Sequence, residues 1–121
     1  MAKHNDLGER GEALARNYLD QQGYLILDTN WRIGHYEVDI IATKDDRIVF
    51  IEVKTRTSVE YGEPEAFVDL KKRWSYIRIA NAYIQQKNRV EEARFDIISV
   101  VISKEETVIN HLVDAFDTVV L

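Results

Sequence analysis

The chain contains no cysteine. That absence excludes a disulfide scaffold, a thiolate zinc site and a cysteine nucleophile together. Any metal should then be a hard cation held by oxygen. Proline occurs once and glycine five times in 121 residues, so few positions interrupt regular structure. Apolar runs are only a few residues long, far short of the ~20 that span a bilayer. The opening Met1-Ala2-Lys3-His4-Asn5-Asp6 has no apolar segment of a secretory signal. A cytoplasmic protein with no membrane contact is the expectation. An excess of positive charge is also missing: the net charge is −5. Taken alone, that argues against a nucleic-acid partner, whose usual footprint is a basic surface.

What is present fits one folded domain over residues 1–121, since ~100–200 residues per domain is usual. Hydrophobic residues make up 45% and charged residues 31%, the balance of a globular chain rather than a disordered one. Leu7, Gly11, Leu14, Ala15, Tyr18 and Leu19 recur at helical spacing, which predicts a helix over 4–22 closed by Gly23. Residues 24–33, 36–43 and 47–54 are rich in β-branched and aromatic types and read as three strands. Gly34-His35 and the polar Lys44-Asp45-Asp46-Arg47 form the turns between them. A loop over 55–68, broken by Gly62 and Pro64, precedes a helix capped by Asp69 and running to about Lys87. The apolar stripe of that helix includes Leu70, Trp74, Ile77 and Ile84, and Tyr76, Ile79 and Tyr83 form a second. Strands over 94–103 and 107–113 complete an α-β-β-β-α-β-β order. That order predicts an α/β fold with a mixed sheet and a helix on each face.

The second and third strands carry the chemistry. A turn centred on Asp45-Asp46 sets the register, placing Asp39 opposite Glu52 and Glu37 opposite Lys54. The strand period puts these charged residues on one face. Val38, Ile40, Val49, Ile51 and Val53 then fall on the other, as core. Directly opposed carboxylates destabilise a hairpin. Three arrangements would offset the repulsion: a divalent cation such as Mg²⁺, protonation of one acid, or an exposed edge where Lys54 or an arginine pairs with them.

Charge is unevenly distributed. Residues 71–94 hold seven basic residues (Lys71, Lys72, Arg73, Arg78, Lys87, Arg89 and Arg94) against Glu91 and Glu92, a net +5 that leaves −10 elsewhere. Lys71 and Arg78 share a helix edge, and Arg56 follows the third strand. Phosphate contacts from such residues give sequence-independent, salt-sensitive binding. Trp74, Tyr76 and Tyr83 interleave with them and could stack on bases, or pack as core aromatics. The Tyr76, Ile79 and Tyr83 stripe also fits a buried helix or a homodimer contact. His4, His35 and His111 lack metal-ligand spacing and are expected on the surface or in loops.

An acid followed about a dozen residues later by Glu52-Val53-Lys54 on an apolar strand resembles the PD-(D/E)xK nuclease superfamily. Gly8-Glu9-Arg10-Gly11-Glu12-Ala13, Gly23-Tyr24-Leu25-Ile26-Leu27, Glu37-Val38-Asp39-Ile40-Ile41-Ala42, Val49 to Arg56, Arg94-Phe95-Asp96-Ile97-Ile98 and Asp114-Ala115-Phe116 extend the likeness. Together, over about residues 7–117, they resemble the YraN family of small bacterial proteins, similar in fold to Holliday-junction resolvases. The resemblance implies a restriction-endonuclease-like αβββαβ core and Mg²⁺- or Mn²⁺-dependent hydrolysis of DNA, with branched DNA as a candidate substrate. Asp39 and Glu52 match the metal-binding acids, Glu12 the helix-borne acid that completes the site, and Lys54 the catalytic lysine. Lys72 matches a basic position of the second helix. Val38 stands where the motif's name has proline, and Glu37 fits the family's Glu-x-Asp variant. By analogy, a protein acting on two-fold symmetric junctions would form a homodimer. Two other readings stay open: a nucleic-acid-binding module of the same fold that does not cleave, and a protein–protein adaptor.

Overall fold

The computed structural model describes residues 6–57 and 70–116. Its elements are α1 (Asp6–Gln21), β1 (Leu25–Ile33), β2 (Tyr36–Lys44), β3 (Arg47–Arg56), α2 (Leu70–Lys87), β4 (Glu92–Ile102) and β5 (Thr107–Leu112). The expected order holds, with Thr55 and Arg56 lengthening β3 at the expense of the expected loop. The rest of that loop from residue 58, including Gly62 and Pro64, lies outside the described residues, as do the Asp69 cap and His4.

Local signals explain most boundaries. Gly23 has a φ of +91° at the end of α1. There the Tyr24 amide donates to Leu19 O and the Gly23 amide to Asp20 O, the paired bonds of a Schellman cap. Asp45 and Asp46 both have positive φ, +51° and +66°. That is the type I′ turn whose twist matches a two-residue hairpin. It sets Lys44 opposite Arg47 and Ile40 opposite Ile51, the register expected from the sequence.

The five strands form one sheet in the order β1-β2-β3-β4-β5, with β3 and β4 parallel and the other neighbours antiparallel. β3 is therefore central, and it reads as the unbroken apolar run Ile48-Val49-Phe50-Ile51 because both of its faces are buried. On one face Ala15 and Leu19 of α1 pack with Ile40, Ala42, Val49, Ile51, Ile98 and Val100. On the other, Tyr76, Ile79, Ala80 and Tyr83 of α2 pack with Val38, Ile41, Ile48, Phe50, Phe95 and Ile97. Each such large apolar side chain contributes roughly 1.5–3 kcal/mol. The result is an α/β fold, a mixed sheet with a helix on each face, consistent with a restriction-endonuclease-like core.

Three expectations need correction. The buried stripe of α2 is Tyr76, Ile79, Ala80 and Tyr83; of the other stripe, Ile77 and Ile84 pack partly buried against the same core, whereas Leu70 and Trp74 are exposed. Both stripes are apolar, and only the position of the sheet selects between them. Val38 packs under α2, not with Ile40 under α1. The β1–β2 ladder steps from Thr29–Ile40 to Trp31–Val38 past Asn30 and Asp39, and Asn30 has a φ of +50°. That break in the pleat ends the strict alternation of side chains at Asp39. Finally, His111 is inside the protein. Its Nε2 lies 2.7 Å from Asp96 Oδ2 and its Nδ1 lies 2.9 Å from the Tyr18 hydroxyl.

Asp96 is fully buried on β4 and is satisfied from several sides. Arg94 donates two hydrogen bonds to it, and the Asp114 amide donates a third. Burial alone would raise its carboxyl, but the bonds from His111, Arg94 and Asp114 outweigh that and hold it below the ordinary 3.8. The network binds β4, β5, α1 and the C-terminal segment. Gly11 makes the other close approach, because a Cβ there would clash with the Thr55 side chain. α1 thus rests directly on β3.

Asp96→Asn leaves Arg94 without its counter-charge and should cost ~3–5 kcal/mol in urea unfolding at neutral pH. The stabilisation from Asp96 is fully present above pH 3.8 and lost as pH falls through its lower folded-state value. The variant should lack that component of the acid limb. Gly11→Ala forces α1 away from Thr55 and should destabilise by ~1–3 kcal/mol, as overpacking does; an unchanged urea midpoint would contradict the close contact.

Candidate functional site

β3 emerges from the core at Glu52. The strand period places Glu52 and Lys54 on the α2 face, continuing from Ile48 and Phe50. Glu52 is only 7% exposed, and a buried carboxylate is costly unless it is paired and hydrogen-bonded. Tyr76 of α2 donates to Glu52 Oε1 at 2.6 Å. Lys54 Nζ and Lys72 Nζ lie 3.2 and 3.4 Å from Oε2. Burial, and then the charges of Glu52 and Asp39, push the Tyr76 hydroxyl well above 10, so it stays a donor.

Asp39 sits where the β2–β3 ladder ends. Its Oδ2 accepts the Val53 amide at 2.7 Å, bridging to the strand that carries Glu52. Burial raises its carboxyl. The Val53 bond opposes this, while Glu52, Glu12 and Glu37 reinforce it, bringing the group to about 7. The Asp39–Glu52 neighbourhood expected from the register is therefore present. The expected Glu37–Lys54 pair is not: Glu37 pairs with Arg32 at 3.4 Å, and Lys54 turns to Glu52.

Asp39 and Glu52 line one cleft of about 710 Å³ together with a third acid, Glu37, and with His35, Tyr36, Lys71, Lys72, Trp74 and Arg78. Three of the four basic residues expected to meet nucleic acid thus surround the two acids. The fourth, Arg56, ends β3 beyond Lys54. Tyr76 and Tyr83 are buried in the core and offer no stacking face or dimer contact. Glu12 is placed differently from the other acids. Its Oε1 accepts from Asn30 Nδ2 at 3.1 Å, and it lines a separate hollow with Glu9, Arg16 and Thr29. Burial raises its carboxyl, Arg16 opposes and Glu37 reinforces, so it feels the acidic group without joining the cleft. Among the described residues, no three acids or histidines converge as a metal cluster. Hard oxygen donors are nonetheless present: one Asp39 oxygen is taken by Val53, and two carboxylates are enough for Mg²⁺, which keeps several waters.

Tyr76 is the contributor that sequence reasoning missed. Its place in an apolar stripe fits a core aromatic, and its hydroxyl gives no pattern of its own. A buried tyrosine needs a partner, and that requirement is the only signal available. Asp96 and His111 escape in the same way, being far apart in sequence. Their network is sealed and satisfied within the α1 face, which marks it as an anchor.

The class defined here is a small α/β domain with paired strand carboxylates, adjacent lysines and a cleft lined by both acidic and basic side chains. The model of the family described as "Uncharacterised protein family UPF0102" matches residues 11–100. The chain is 44% identical over 116 residues to UPF0102 proteins of Flavobacterium psychrophilum and Bacteroides thetaiotaomicron, covering 96% of this chain and 98% and 96% of theirs. A UPF0102 protein of Caldanaerobacter subterraneus is 41% identical over 114 residues, covering 91% of this chain and 93% of its own. The chain belongs to the UPF0102 family. Among the described residues, no helix is long and apolar enough to cross a membrane.

Asp39 makes the fold sensitive to pH. An unfolded aspartate ionises near 3.8, whereas the folded group does so at about 7. Between those values the folded state holds a proton that the unfolded state has released, so stability falls as pH rises from about 4 to about 7 and then levels. In EDTA, Asp39→Asn should remove that decline and be more stable than the parent above about pH 7. Parallel urea midpoints across the range would contradict the assigned burial.

Proposed function

We propose that the protein is a divalent-metal-dependent endonuclease that hydrolyses phosphodiester bonds of DNA. The observation that carries this reading is the convergence of Asp39 and Glu52 in one cleft with Lys71, Lys72 and Arg78, with Lys54 paired to Glu52. A phosphodiester is an anion attacked by another electron-rich group, so catalysis depends on offsetting negative charge. Asp39 and Glu52 are the residues that would hold Mg²⁺ or Mn²⁺. When bound, such a cation neutralises the scissile phosphate and lowers the pKa of a bound water.

The protein's own groups do the rest. Tyr76 fixes the orientation of Glu52, and Val53 fixes that of Asp39. Rigid supports of this kind hold ligands better than loop positions would. Lys54 Nζ stands beside Glu52, where an ammonium can orient a water or stabilise charge in the transition state. Lys71 and Arg78 on the cleft wall can take flanking phosphates. The acidity of the whole chain weakens long-range attraction, so binding relies on these local cations. A branched, two-fold symmetric DNA would be matched by a homodimer.

One observation favours a second reading. Both oxygens of Glu52 are already partnered, by Tyr76 and by two lysines, so its charge is offset without a cation. That favours a DNA-binding module with an idle site.

Labelled linear, single-stranded and four-way DNA, incubated with Mg²⁺ or Mn²⁺, separates the two. Cleavage should be abolished by EDTA and slowed at least ~100-fold, or ~3 kcal/mol, by Asp39→Ala or Glu52→Ala. Lys54→Ala should cost ~10²–10³-fold, as loss of one electrostatic donor does. Cleavage that survives either acid substitution sinks the assignment. Salt-dependent binding without cleavage, indifferent to both, selects the binding module.

A further inference from the structure

Trp74 is 41% exposed, although tryptophan is a residue that folded chains usually cover. It is not on the buried stripe of α2. It follows Lys71 by three residues and precedes Arg78 by four, so the three share one helix face, and all three line the cleft that holds Asp39 and Glu52. His35 and Tyr36 line the same cleft. Their rings are 4.4 Å apart and tilted by 31°, and the Arg78 guanidinium carbon lies 5.9 Å from the centre of the Tyr36 ring. The cleft therefore offers aromatic groups from two elements, with cations among them.

That combination has a specific use. Cations follow a sugar-phosphate backbone, while an exposed aromatic face takes up a base. In an intact duplex the base faces are covered by the neighbouring pairs, and nothing is left to stack on Trp74. We propose that Trp74 is a stacking platform for an unpaired base, so that the DNA engaged by this cleft presents single-stranded nucleotides beside the two acids. The placement of the scissile phosphate rests on the nuclease reading; the stacking does not.

The test measures binding in EDTA, so that it is independent of cleavage. The chain has two tryptophans. Trp31 packs edge-on against Tyr83 at 5.0 Å, and a Trp31→Phe background leaves Trp74 as the sole indole reporter. A short oligothymidylate should quench that fluorescence, and a fully paired, blunt-ended duplex of the same length should do so far less. By anisotropy, Trp74→Ala should weaken the single strand about 5- to 150-fold and the duplex less than about twofold, with Trp74→Phe retaining most of the affinity. Because Trp74 is outside the core, these variants should keep the parent's circular dichroism and urea midpoint. Equal losses for both DNAs, or a bound oligothymidylate that leaves the fluorescence unchanged, would overturn the inference. Trp74-dependent single-strand binding without cleavage under Mg²⁺ would leave it standing and remove the nuclease. Cleavage indifferent to Trp74→Ala would do the reverse.

Discussion

Glu52 carries a carboxylate into the central strand of the sheet, where isolated charge is several kcal/mol unfavourable. The groups that answer it come from elsewhere. The Tyr76 hydroxyl and the Lys72 ammonium are both supplied by α2, and Lys54 by the same strand. α2 must therefore cross the sheet at this point and in this rotation. That rotation buries Tyr76, Ile79, Ala80 and Tyr83. It also turns Lys71, Trp74 and Arg78 into the cleft. The partnership at Glu52 and the composition of the cleft wall are consequences of one helix placement.

The opposite face supports this arrangement indirectly. Asp96 gathers Arg94, His111 and the Asp114 amide. Just beyond, the Ala115 amide donates to Phe95 O, and Phe116 stacks on Phe95 with ring centres 5.1 Å apart. The Phe116 ring also lies 6.2 Å from that of Tyr76. A polar anchor beneath α1 thus fixes the segment that packs against the tyrosine holding Glu52. Gly11 contributes from the same side by seating α1 on Thr55, just past the Glu52-Val53-Lys54 element. The two faces of the sheet are joined through the C-terminal segment as well as through the strands.

Much of this was readable in the residues, and the reasons differ by element. The Asp45-Asp46 turn and the register it sets were legible because a two-residue hairpin leaves one pairing that keeps Ile and Val inside. The Gly23 cap was legible because few residues tolerate its φ. The pairing of Lys54 was not, because the ladder ends before residue 39 and frees Glu37 to reach Arg32. The buried face of α2 was ambiguous, since Leu70, Ile77 and Ile84 are as apolar as Ile79. Glu12 stands apart from the other two acids because its helix angle, which no spacing specifies, aims it at Asn30.

By itself the sequence determined the order of elements, the hairpin register, the pair Asp39 and Glu52, and the basic character of α2, because each follows from local periodicity and turn chemistry. Only the tertiary structure decided which face of α2 meets the sheet, which cations answer Glu52, that His111 and Asp96 meet inside, and that Trp74 stays in the open. Those outcomes depend on contacts between residues distant along the chain, where burial and charge compensation across elements select one arrangement among several that the local pattern allows equally.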